Sequence, residues 1–140
     1  MERLEEHARC RIVAGLVSGE ADMRRDDDLL RKLMLDMEAD PEPILVHGLT
    51  QDATEEQRLA YYHLRLLADE GFLEELGRNG GAWRMTSKGH DFVAAVRSDA
   101  VWGRTKQMAS LVSGVSLSIL KDIAVGIMRD QLTKMGVPLG

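Results

Sequence analysis

Apolar residues recur at spacings of three and four from Leu29 through Leu30, Leu33 and Met34 to Met37, which predicts a helix with one buried stripe. Asp26, Asp27 or Asp28 can cap its start, where a carboxylate accepts unpaired backbone N–H groups. Asp40-Pro41-Glu42-Pro43 ends it, because the residue before a proline avoids helical geometry. Upstream, Leu4, Ala8, Ile12 and Leu16 mark a helical N-terminal extension over 1–22 that loses its pattern at Ser18-Gly19-Glu20. Downstream, Ile44-Leu45-Val46 is a short β-prone run closed by His47-Gly48. A second helix starts from Asp52 or Thr54 and runs to about Glu70, where Gly71 supplies the stop. Its inward face holds Ala60, His63 or Leu64, and Leu67; the other face holds Arg58, Tyr61, Tyr62 and Arg65.

Two short runs, 72–76 and 82–86, flank Gly77-Arg78-Asn79-Gly80-Gly81, a hairpin signal. Ser87 is expected to cap a helix with Phe92, Val93, Val96 and Ala100 inward; residues 102–111 continue it or begin another. After the Ser113-Gly114 break, Ser116 caps a last helix carrying Leu117, Leu120, Ile123, Ala124, Ile127 and Leu132 roughly in line. Helix, strand, helix, hairpin, helix is the order of a winged helix-turn-helix-like domain, with the hairpin as wing. The expected fold is therefore mainly α with a small β-hairpin (α+β). The winged-helix domain spans 23–100, and a C-terminal helical extension follows over 101–140.

Net charge modifies this picture. The total is −5, but residues 26–56 hold two Lys/Arg against ten Asp/Glu, while the remainder holds sixteen against thirteen. Overall acidity therefore does not exclude nucleic acid, which responds to local basic surface. Aromatics make up only 4% and there are eight Met, which predicts a core filled by flexible aliphatic side chains. A single cysteine, Cys10, excludes an intramolecular disulfide and fits a cytoplasmic protein. The first residues lack the basic and apolar regions of a signal peptide. Lys121 and Asp122 near the middle of the apolar stretch 108–128 argue against a membrane span.

The run Tyr62-His63-Leu64-Arg65-Leu66-Leu67-Ala68-Asp69-Glu70-Gly71-Phe72-Leu73 resembles the end of the recognition helix in arsenic-sensor-type winged-helix regulators. Met85-Thr86-Ser87-Lys88-Gly89-His90-Asp91-Phe92 resembles their return from wing to helix. A closer resemblance is to an uncharacterised family of short bacterial and phage proteins of unknown function. It rests on Met23-Arg24-Arg25-Asp26, Asp40-Pro41-Glu42-Pro43, Tyr62-His63-Leu64, the run 86–92 and Asp99-Ala100-Val101-Trp102, and covers most of 23–130. Members of that family begin near the equivalent of Met23, so residues 1–22 read as an extension of this chain or as the product of an upstream start codon. One departure from helix-turn-helix order stands out: at most a single turn around Leu49–Ala53 fits where a supporting helix would brace the recognition helix.

The chemistry follows two lines. For double-stranded DNA, Arg58, Tyr61, Tyr62 and Arg65 on the helix, with Arg78, Asn79 and Arg84 on the wing, offer partners for phosphates and guanine edges. Glu55 and Glu56 at the same helix's start oppose phosphates. For protein partners, the last helix is apolar beyond one face, which suits a homodimer through Leu117, Leu120, Ile123 and Ile127, or the burial of those residues in the chain's own core. Its acidic 26–56 segment faces a basic partner or water. His7, His47, His63 and His90 have no metal-ligand spacing, and no nucleophile or phosphate-binding motif is present; no metal, cofactor or enzymatic activity is expected. The leading expectation is a DNA-binding regulatory module; the alternative is a protein-interaction or adaptor module, of phage origin, on the same fold.

Overall fold

A computed structural model describes residues 23–139, so the helix expected over 1–22, with His7 and Cys10, lies outside the described residues. Helix α1 spans Asp27–Ala39. Its cap is Asp26, whose carboxylate accepts from the backbone N–H groups of Asp28 and Leu29 at 3.0 and 3.2 Å. Leu30 and Met34 are its buried stripe, and Asp40, in extended geometry before Pro41, ends it. Strand β1 (Ile44–Val46) leads through a turn, closed by Ala53 N–H on the Thr50 carbonyl, directly into α2 (Glu55–Asp69). Thr54 and Gln57 form a reciprocal capping box there. The single turn thus stands where a supporting helix was judged not to fit.

Gly71 ends α2 as its sequence implies. With φ of +82° it lets Phe72 N–H reach the Leu67 carbonyl and its own N–H reach Ala68, a Schellman closure. The chain then forms β2 (Leu73–Leu76) and β3 (Ala82–Met85), which pair antiparallel with Leu76 opposite Ala82. Strand β1 pairs antiparallel with the other side of β3, giving the sheet order β1-β3-β2. Helix α3 spans Ser87–Val96. Its cap is Thr86 and not Ser87: the Thr86 hydroxyl accepts from Gly89 N–H at 3.0 Å and also donates to the Gly71 carbonyl, tying the hairpin exit to the end of α2. The polypeptide bends at Arg97-Ser98, so Ala100 is exposed and not on α3's inner side; a new helix, α4 (Asp99–Ser110), starts from Ser98. Ser113 and Gly114, both at positive φ, turn it into α5 (Leu117–Lys134), capped by Ser116.

The result is mainly helical with one small antiparallel sheet, an α+β architecture. No helix among the described residues is long and apolar enough to cross a membrane. Aromatic side chains supply the largest core volumes: Trp83, Phe72 and Phe92 are fully buried, with the two phenylalanine rings stacked 4.7 Å apart. Leucine, valine and alanine side chains make up most of the remaining core, in line with the aliphatic core that the composition implies. Met34 and Met85 are buried, whereas Met23, Met108 and Met135 are exposed. Of the two readings offered for α5, burial in the chain's own core matches the described residues: Leu117, Leu120 and Ile127 are buried and Ile123 packs against the same core, where α5 meets α3 and α4.

Candidate nucleic-acid interface

Helix α2 and the β2–β3 hairpin bring the seven candidate DNA-contacting residues onto adjoining elements, but in unequal states. Tyr61 is a correction: it turns inward, half-buried, with its ring edge-on to Trp83 at 5.8 Å. Periodicity had put it outward, but it sits beside the inward stripe, where the large Trp83 indole draws it in. Tyr62 is exposed and edge-on to His63. Arg58 is exposed and reaches back weakly to the Gln51 carbonyl at 3.4 Å.

Both remaining inner arginines are neutralised. Arg65 pairs with Glu75 of β2. Arg84 pairs with Glu74, its cross-strand neighbour, at 2.7 Å. Glu75 is held in place twice over, because its other oxygen accepts the Gly81 N–H at 2.9 Å and so fixes the hairpin turn. Phosphate approaching either arginine would have to displace its carboxylate; as neighbours along β2, Glu74 and Glu75 point to opposite faces of the sheet, Glu74 to the open face with Arg84 and Glu75 to the Trp83 face with Arg65. Lys88, also nearby, is committed to the Glu70 carbonyl at the end of α2 and lies over the Phe72 ring. Arg78 and Asn79 at the tip of the turn are exposed, and Arg78 makes no ion pair among the described residues. Glu55 and Glu56 occupy the first turn of α2 as the sequence implied. Glu74 and Glu75 are the pair that sequence reasoning missed. The Glu74–Arg84 contact was accessible from the hairpin alone once the register is counted; the Arg65–Glu75 contact needs the angle between α2 and the sheet.

The histidines separate into structural and surface groups. His63 is fully buried; its Nδ1–H donates to the Leu59 carbonyl at 2.9 Å and its Nε2 accepts from Asp26 N–H at 2.8 Å. It therefore anchors the start of α1 to α2 and does not meet His90, which is exposed at the start of α3. At the end of β1, Trp83 Nε1–H donates to the His47 carbonyl, and the His47 ring reaches the Gln57 carbonyl at 3.1 Å. Across the molecule, the Lys106 ammonium and then the Trp102 indole hydrogen-bond Asp28 and hold its carboxyl below the usual carboxylate range. Among the described residues no three His, Cys, Asp or Glu gather as a metal set.

A groove of about 510 Å³ opens between the end of α1, the turn 40–43, the start of β1, Arg84 and Met85 of β3, and His90. Met37, Pro41, Pro43, Ile44 and Met85 give it apolar walls, and Glu38, Asp40 and Glu42 rim it. Glu38 is taken by Arg97.

The molecule is thus a small α+β protein with a hairpin beside an arginine-bearing helix. The chain belongs to the family described as Hypothetical protein (DUF2513), whose profile matches residues 24–116. It is similar to an uncharacterized protein of Haemophilus influenzae, 28% identical over 120 residues that cover 79% of this chain and 99% of that one. No solved structure matches.

Proposed function

We propose that this chain is a non-enzymatic protein-interaction or adaptor module built on a winged-helix scaffold. The scaffold reading is supported by the element order α1-β1-α2-β2-β3-α3 with sheet order β1-β3-β2, the arrangement in which a first strand flanks the wing. Its resemblance to arsenic-sensor-type regulators over residues 62–73 and 85–92 points the same way. One observation favours proteins over DNA as partners: Arg65 and Arg84 are each paired with a carboxylate of β2. Nucleic-acid affinity comes mainly from cations that neutralise phosphates, and paired cations supply little of it. An acidic α2 start adds to the mismatch.

The DNA-binding regulator remains a second reading because Arg58, Arg78 and Asn79 are exposed. Fluorescence anisotropy of a labelled random duplex separates the two. The protein-interaction reading expects no binding at low ionic strength. Binding that weakens steeply with salt, and is lost on Arg58→Ala with Arg78→Ala, would overturn it.

A further inference from the structure

The sheet ends on β1, whose outer edge pairs with no strand among the described residues. His47 N–H bonds the Gly81 carbonyl at 2.8 Å, so in this antiparallel ladder Leu45 and His47 turn their backbone groups toward β3. Ile44 and Val46 therefore aim theirs at the open edge, along which no second strand runs among the described residues. Their side chains are also exposed, Val46 to 79%. Edges of this kind are commonly blunted by shortness, proline or charge; β1 is three residues long and follows Pro43, but Ile44-Leu45-Val46 itself carries no charge. At the N-terminal end of this edge lies the groove rimmed by Asp40 and Glu42; Arg84 also lines it, with its guanidinium paired to Glu74. Asp40 spends one oxygen on the Glu42 N–H, and neither carboxylate has a cation partner among the described residues.

We infer that the open edge of β1 receives an extended peptide segment of a protein partner, with apolar residues at alternate positions and a Lys or Arg near its C-terminal end. Backbone pairing supplies the affinity, and the pockets beside the edge supply selectivity. An incoming strand antiparallel to β1, as β3 is on the other side, carries its C-terminal end to the groove. There the aliphatic stem of a Lys or Arg lies along Pro41 and Pro43 and its cation reaches Asp40 and Glu42. Charge complementarity selects this occupant over a second copy of the chain, whose own β1 has Asp40 and Glu42 at its start and no Lys or Arg from there to Arg58. The inference rests on the protein-interaction reading above and names the partner's chemistry.

The test is a ¹⁵N NMR titration of the full chain with two eight-residue peptides, each alternating valine and threonine, one ending in two lysines and the other in two glutamates. The lysine peptide should shift the amides of Ile44, Val46 and residues 40–43, and the glutamate peptide should bind at least tenfold more weakly. Asp40→Asn with Glu42→Gln should erase that preference while leaving the spectrum folded, and Val46→Lys should abolish binding of the lysine peptide. Equal affinity for the two peptides, shifts centred on α2, a doubling of mass without peptide, or no shift at millimolar lysine peptide would each overturn the proposal. If the peptide fails and the duplex titration is also flat, the docking edge is wrong and the protein-interaction reading stands. Salt-sensitive duplex binding would remove that reading, and this proposal with it.

Discussion

Replacing glycine by alanine should have opposite effects at two helical positions of this protein. At Gly89, in the first turn of α3, an added Cβ would lie 2.8 Å from Met85 Cγ and closer still to the Phe72 carbonyl oxygen. The Phe72 backbone cannot yield cheaply, because its N–H closes α2 and its carbonyl accepts the Thr86 N–H. Overpacking of this kind costs about 1–3 kcal/mol. Moving α3 away would also strain the Thr86 cap, worth about 1 kcal/mol, while alanine's helix propensity returns about 1 kcal/mol. The net expectation for Gly89→Ala is a loss of about 2 kcal/mol, or a fall of roughly 6–8 °C in Tm for a chain of this size. At Gly126, exposed within α5, nothing lies within 4 Å of the added Cβ. Gly126→Ala should therefore gain about 0.5–1 kcal/mol from helix propensity alone. Urea unfolding followed by tryptophan fluorescence reads both, since Trp83 and Trp102 are buried. Gains of equal size at the two sites would refute the close approach of α3 to the hairpin.

Three further outcomes follow from named contacts. His63→Leu should cost about 2 kcal/mol in urea unfolding, because it leaves the Asp26 N–H without its acceptor; an unchanged midpoint would contradict the anchoring role. Asp28 has its carboxyl lowered by Lys106 and Trp102, so its contribution is present above the unfolded carboxylate pKa and is lost as pH falls through the lower folded value. The stability curves of wild type and Asp28→Asn should thus converge in acid, with a gap at neutral pH that shrinks in salt because Asp28 is largely exposed; a gap that widens in acid would reverse the sign. Ile127→Asp should destabilise the fold by about 3 kcal/mol or more without changing the mass of the folded species, since Ile127 is buried in the chain's own core; a change of mass at constant stability would restore α5 as a dimer surface.

Local signals made much of the fold legible. Asp26, Thr54, Gly71 and Ser116 each act at the helix boundary where their chemistry suggested, and the glycine-rich run 77–81 does turn between two paired strands. The failures were of a different kind. Ser87 and Thr86 are both able to cap, and only the Thr86 hydroxyl's second bond, to Gly71 fifteen residues earlier, decides between them. Tyr61 lies at the margin of α2's buried stripe, and its inward turn depends on Trp83 from another element. The apolar breadth of α5 signalled burial correctly but not whose surface does the burying. At the candidate interface the arginines were visible as residue types. Their charge state as a surface was not, because Glu75 meets Arg65 only after the sheet packs beside α2.

The central claim is that β2 neutralises the arginines that would otherwise face DNA. It is tested most directly by duplex anisotropy across a salt series on wild type and on Glu74→Gln with Glu75→Gln, a variant that keeps an oxygen for the Gly81 N–H. The account predicts no binding by wild type and weak binding by the variant, with a log–log salt slope of about −2 for two released cations. Wild type that binds as tightly as the variant, with the same slope, would contradict it.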